Sequence, residues 1–381
     1  MSSRAERLFA LGQSVWLDFI RRGHLVSGEF EALVRDQGVV GVTSNPTIFQ
    51  LAIAQGDDYE DALAARVGQG LQGPKLFESL AVEDIQMACD RLAAVAQRTG
   101  GRDGRVSIEV SPRLAHDTAA SIEEGLRLFR EVGRSNVMVK VPATPEGLPA
   151  VSALLAEGVS VNVTLIFSLA RYAEVMDAWL TGLEGRAAAG RPLAPVFSVA
   201  SFFVSRVDNK VDAAITQALE ALPAGALERA ELESCRGRAA IGNARLAYAA
   251  FQEVCAAPRF AALRARGAQV QRPLWASTST KNPAYPDTLY VDELIGPDTV
   301  NTMPLQTLAA FNDHGRPEVT ITRDLDAARA LFARLPALGV PVGQLIDQLE
   351  PEGVAAFAKS YDALLATLET RRREVAAAHG A

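Results

Sequence analysis

A lysine stands inside an apolar run, VMVKVP, at Lys140. The chain has 38 basic residues, but its lysines are few: Lys75, Lys140, Lys210, Lys281 and Lys359. Arginine cannot deprotonate in a protein, so a lysine kept in an arginine-rich chain points to a need for an amine. Burial between valines disfavours the ammonium form, and a neutral amine can attack a carbonyl carbon and form an imine. Two carboxylates occupy similar settings. Asp18 closes SVWLDF, and Glu109 interrupts VSIEVSP. Either can act as a general acid or base if it is held near a reacting proton. The competing reading is an ion pair that keeps Lys140 charged and inert. A carboxylate pair without an amine would suit glycoside hydrolysis, and the lysine turns the balance toward imine chemistry.

Other polar residues also interrupt or follow apolar runs: Thr43-Ser44-Asn45, Asn162, Thr164, Ser201, and Ser277 through Lys281. Asn162 and Thr164 alternate in VNVTL and therefore share one strand face. They suit hydrogen bonds to a sugar or a water, or else are satisfied by backbone at a strand end. Asn45 precedes Pro46 and reads equally well as a ligand or as a helix cap. Arg206 follows SFFVS, and Lys281 follows RPLWASTST with Ser277 and Ser279. Late loops of a barrel and a helix N-terminus often hold phosphate. The alternatives are a surface salt bridge for Arg206 and a solvated loop charge for Lys281.

The elements that must position these groups are short β-branched runs. They fall at 14–20, 38–46, 105–112, 136–144, 158–167, 195–203, 272–280 and 299–305, with amphipathic or Ala/Leu/Glu-rich stretches between most of them. That alternation predicts parallel βα units. Eight such units select an α/β fold of the closed (β/α)8 TIM-barrel kind, whose active site lies at the C-terminal ends of the strands. No GxGxxG follows the first run, so a dinucleotide fold lacks its best cue. Residues 47–104 and 204–271 hold more helix than one unit needs and read as helical insertions. The tail, 321–378, reads as closing helices, with Pro341 opening a new element. The economical reading is a single domain over 1–381.

The composition is that of a soluble globular protein, with 49% hydrophobic and 22% charged residues. A net charge of −7 argues against nucleic acid or an anionic membrane as partner. Cys89, Cys235 and Cys255 are odd in number and far apart, so disulfides and zinc are not expected and a cytoplasmic setting fits. The N-terminal stretch lacks the h-region of a signal peptide, and no 18-residue apolar run suggests a membrane span. His24, His116, His314 and His379 show no metal-ligand spacing. Only His116 lies near the expected mouth, and it reads as structural.

The ordered motifs carry a resemblance. GVTSNPTIF (41–49) and VMVKVPATPEG (137–147) resemble the two signatures of the transaldolase family, the second carrying its Schiff-base lysine. SVNVTLIFS (160–168) and SFFVSR (201–206) match in order and spacing, and the resemblance covers about residues 14–315. It implies that Lys140 forms an imine with the C2 carbonyl of a ketose phosphate and that Asp18 takes the C4 hydroxyl proton during carbon–carbon cleavage. Glu109 with Thr164 would hold a catalytic water. Asn45, Asn162 and Ser201 would bind the retained three-carbon unit, and Arg206 the phosphate. The implied reaction passes a dihydroxyacetone unit from sedoheptulose 7-phosphate to glyceraldehyde 3-phosphate, a step of the pentose phosphate pathway. A class I aldolase that releases free dihydroxyacetone is the alternative, and Glu109 argues against it. The imine is itself the electron sink, so no metal or other cofactor is expected.

The chain also departs from the family pattern. Better-studied members carry a second phosphate-binding arginine after the seventh strand. Here the segment reads WASTSTKNP: Ser277 aligns with the serine of that site, and Lys281 stands near the arginine's place. The 204–271 insertion is similar to that of a longer bacterial subgroup, and the chain has no room for a fused phosphoglucose-isomerase domain. The insertion's apolar faces can pack on the barrel or form a homodimer interface, and both readings stay open.

Overall fold

The computed structural model describes residues 3–54 and 57–378, so His379 lies outside the described residues. Eight parallel strands close into a barrel in sequence order. They are β1 (Gln13–Leu17), β2 (Val39–Val42), β3 (Arg105–Glu109), β4 (Val137–Pro142), β5 (Val161–Ile166), β6 (Ser198–Phe203), β7 (Gln271–Ala276) and β8 (Thr299–Met303). Each of the eight apolar runs thus holds a strand. The runs are near-continuously hydrophobic because each strand is buried on both faces, by helices outside and by layered side chains inside.

The floor of the barrel is plugged. Arg272 and Asp103 form an ion pair at 3.0 Å, with side chains 5% and 0% exposed. Ser14 Oγ and Trp16 Nε1 both donate to the Asp103 carboxylate, at 2.9 and 3.2 Å. The Trp16 ring fills the space beside β2, where a Cβ on Gly41 would lie 2.6 Å from it. Glycine at 41 is therefore a packing requirement. With the floor sealed, the polar groups at the strands' C-terminal ends face the open side.

Both stretches read as insertions are helical. The first holds Pro46–Ala54, Glu60–Gly68, Gly73–Arg91 and Ala93–Arg98. The second holds Ser205–Ala221, Glu228–Cys235, Ala239–Ala256 and Pro258–Arg264. One hydrophobic cluster runs from Ala5 to Leu368 and ties these helices to the barrel.

The tail holds three helices, Leu325–Ala337, Val342–Asp347 and Leu349–Ala378. The helix after β8 is Leu305–His314, so the barrel's ring is complete before residue 321. Pro341 does precede a new helix, Val342–Asp347. The last helix, Leu349–Ala378, then runs over the strand ends and packs against Pro46–Ala54 and Glu60–Gly68. Among the described residues, no helix is long and apolar enough to cross a membrane.

Candidate active site

Parallel register brings the two central groups together. Glu109 pairs with Lys140 across β3 and β4, and Lys140 pairs with Asn162 across β4 and β5. Side chains alternate along a strand, so the inward positions form layers inside the barrel. Lys140 Nζ lies 3.4 Å from Glu109 Oε2, with side chains 5% and 7% exposed. It also donates to the Ser44 carbonyl at 3.2 Å. Glu109 thus supplies the lysine's ion pair, and Asp18 does not.

Burial pushes the Glu109 carboxyl up to about 7, against the pull of the neighbouring Lys140 and with a push from the Asp18 charge. Among the described residues, Glu109 Oε2 has no hydrogen-bond partner beyond that ion-pair contact, and Thr164 Oγ1 is buried with none. Unsatisfied polar atoms in a packed interior are uncommon and need a reason.

Asp18 follows β1 directly and is half-buried. Thr43 Oγ1 donates to its Oδ1 at 2.9 Å, which fixes the carboxylate at the rim. Asp18, Thr43, Asn45, Lys140, Thr164, Ser201, Arg206, Ser277 and Lys281 all line one cavity of about 480 Å³. A larger cleft, about 670 Å³, lies outside β3 and is walled by residues of the helices Gly73–Arg91 and Thr118–Val132. It is lined by Glu109 and Asn45 but lacks Lys140, Asp18 and Arg206, which gather in the smaller space; Glu109 reaches that group through its contact with Lys140.

Not every expected ligand opens on that cavity. Asn162 is fully buried, one pleat deeper than Thr164. Its Nδ2 donates to Ser107 Oγ at 3.1 Å, and its Oδ1 accepts from Ser201 Oγ at 2.7 Å. Asn45 lines the cavity, yet its Oδ1 also accepts from Ile48 N–H at 3.0 Å. It caps the Pro46–Ala54 helix and faces the site at once.

Arg206 sits in the first turn of the helix Ser205–Ala221. No ion pair or hydrogen bond from its guanidinium appears among the described residues, so the salt bridge considered for it does not form. Its guanidinium carbon lies 5.2 Å from the Phe203 ring centroid. Burial pushes the guanidinium's pKa down, while Asp18 opposes that. A half-buried cation without an ion pair, at a helix N-terminus, is an arrangement that favours an anion. Ser277 stands beside it at φ 57 and shares a 2.9 Å hydroxyl contact with Ser205. Lys281 is exposed, and its Nζ donates to Ser279 Oγ at 2.8 Å.

Sequence reasoning missed several cavity residues. Phe203 stands two positions after Ser201 on β6, so strand alternation could have found it. Ile48, Leu51 and Asn209 come from helices after strands. Phe357 comes from the last helix, and no local signal marks it. His116 is exposed and paired with Glu146 at 3.1 Å, away from the cavity. All three cysteines are free. Among the described residues, no group of three His, Cys, Asp or Glu side chains is placed to hold a metal ion.

The closed barrel and its lysine-centred mouth can be compared with known proteins. The model of the family described as Transaldolase/Fructose-6-phosphate aldolase matches residues 15–368. "Transaldolase 1" of Streptomyces coelicolor is 50% identical over 364 residues, covering 95% of this chain and 93% of that protein. "Transaldolase" of Parafrankia sp. is 49% identical over 369 residues, covering 97% and 98%. "Transaldolase" of Thermobifida fusca is 49% identical over 370 residues, covering 96% and 97%. With the Lys140 amine, the Asp18 carboxylate and the Arg206 cation lining one cavity at the barrel mouth and a match over nearly its whole length, the chain belongs to the transaldolase/fructose-6-phosphate aldolase family.

Proposed function

We propose that this enzyme is a transaldolase that moves a dihydroxyacetone unit from sedoheptulose 7-phosphate to glyceraldehyde 3-phosphate. The products are erythrose 4-phosphate and fructose 6-phosphate. The observation that carries the reading is the buried Lys140 amine, 3.4 Å from a carboxyl whose pKa is pushed up to about 7. A group that titrates near neutrality can both give and take a proton.

In this reading the Lys140 amine attacks the C2 carbonyl of the ketose, and the carbinolamine loses water to give the imine. Glu109 supplies and recovers the protons. Its unpartnered Oε2 and the unpartnered Thr164 Oγ1 suit a water that relays them. Asp18, fixed by Thr43, takes the proton from the C4 hydroxyl as the C3–C4 bond breaks. The electron pair moves into the imine and leaves an enamine on Lys140. The acceptor aldehyde then takes that pair, and the steps run in reverse.

Asn45 and Ser201 bind hydroxyls of the retained unit, with Asn162 orienting Ser201. Arg206, with Ser277 and the helix N-terminus, holds the phosphate, and Lys281 adds charge at the rim. Sugar phosphates are thus the small-molecule partners. One catalytic domain over 1–381, a cytoplasmic location and a homodimer complete the reading.

Borohydride trapping with fructose 6-phosphate followed by peptide mapping tests it. The label is expected on Lys140, and Lys140→Arg is expected to lose trapping and turnover together. A label on another lysine would end the proposal. The aldolase alternative predicts free dihydroxyacetone as the main product even with acceptor present.

A further inference from the structure

The last helix, Leu349–Ala378, is fastened across the barrel mouth at several strand ends. Glu350 pairs with Arg171 at 2.8 Å, Glu352 pairs with Lys210, and Asp362 pairs with Arg113 at 2.6 Å. Thr47 Oγ1 donates to Ser360 Oγ at 2.9 Å. These anchors follow β5, β6, β3 and β2 respectively. Cavity-lining Asp18, Ser277, Lys281 and Thr302 lie on or beside β1, β7 and β8, the side that these anchors leave open.

Two residues one turn apart on this helix face the site. A Cβ on Gly353 would lie 3.1 Å from Leu165 Cδ2 and 3.6 Å from the Arg206 guanidinium. Gly353 therefore lets the helix pass close to the anion site. Phe357, four residues on, is 5% exposed and lines the cavity. Its ring centroid is 5.7 Å from Lys140 Nζ, the atom that becomes the imine nitrogen. It also lines the small space beside Glu109, Pro142 and Leu165.

The function proposed above faces a competition at the enamine. If a proton adds to its C3 carbon, an iminium forms. Water then adds at C2 and Lys140 leaves as the free amine, so one water is consumed and dihydroxyacetone is released. If an aldehyde adds instead, transfer occurs. The outcome depends on which reagent reaches C3 first. A fully packed aromatic ring beside the nitrogen removes volume that water would fill, and it keeps that side of the intermediate apolar.

We infer that Phe357, carried by the last helix, is a specificity-determining residue that keeps water from the Lys140 enamine and so favours transfer over release of free dihydroxyacetone. The inference rests on the transaldolase reading.

The test measures a ratio. Fructose 6-phosphate is supplied with excess erythrose 4-phosphate, and free dihydroxyacetone is measured against sedoheptulose 7-phosphate formed. Wild type, Phe357→Ala and Phe357→Leu are compared, and each preparation is normalised to lysine trapped by borohydride. The ratio of release to transfer is expected to rise roughly tenfold or more in Phe357→Ala and by less in Phe357→Leu. Unfolded molecules make neither product, so partial misfolding leaves the ratio intact. If Phe357→Ala does not fold, Phe357→Leu alone decides. Variants that still trap substrate yet partition as wild type overturn the inference. A wild type that neither traps nor transfers overturns the underlying function instead.

Discussion

Lys140 and Glu109 are register partners on adjacent strands, and their charged ends meet at 3.4 Å. The contact places an amine and a proton carrier on one wall, where the amine's charge bears on the carboxyl's ionisation. Burial works against the carboxylate, and the ammonium works for it. The net result leaves Glu109 at about 7 rather than its ordinary 4.5.

That raised value fixes a sign. The folded protein prefers Glu109 protonated, so its contribution to stability is fully present below about 4.5 and is lost as pH rises through about 7. Glu109→Gln is expected to gain stability relative to wild type between pH 5 and 8, by on the order of 1–3 kcal/mol. Thermal unfolding across that range checks it. Turnover of the wild type should also show an ionisation near 7, and the variant should lose it. An unchanged profile would count against Glu109 as the proton carrier.

Asp18 acts after the imine forms. Asp18→Asn should therefore keep borohydride trapping at Lys140, while carbon–carbon cleavage slows by roughly 100- to 1,000-fold. Trapping efficiency and transfer rate, measured on one preparation, separate the two steps. Equal loss of both would place Asp18 in imine formation instead.

The two cations at the phosphate end should differ. Arg206 is half-buried and makes no ion pair among the described residues, so Arg206→Ala should raise KM for phosphorylated substrates by roughly 10- to 100-fold, as for loss of a charged hydrogen bond. Lys281 is exposed and solvated. Lys281→Ala should change KM by about fivefold or less, and its effect should shrink in salt. A larger effect at Lys281 than at Arg206 would reverse the assignment.

Gly147 is demanded by the turn after β4. A Cβ there would lie 2.0 Å from the Pro142 carbonyl oxygen and 3.0 Å from Thr144 Oγ1. Gly147→Ala should cost about 1–3 kcal/mol, because the strand end or the helix Gly147–Glu157 must shift. Chemical denaturation measures the cost. A fall in kcat alongside it would show that the shift reaches Lys140.

Much of this protein is written locally. The eight apolar runs are visible because strands buried on both faces must be continuously hydrophobic, and helices between them must be amphipathic. Lys140, Asp18 and Glu109 stand out because charges rarely interrupt or close such runs. Their family motifs are contiguous, so those too can be read without a fold.

What tertiary structure decided is which groups meet. Strand register chose Glu109 over Asp18 as the partner of Lys140. Cross-strand packing occupied the Asn162 carboxamide with Ser107 and Ser201, which a VNVTL pattern cannot announce. Local sequence says nothing about whether Arg206 is paired, because its lack of an ion pair among the described residues depends on every loop around it. Phe357 is the furthest case. It arrives beside Lys140 on a helix more than two hundred residues downstream. Periodicity reports which face of an element is buried, but only the packing of the whole chain decides what that face is buried against.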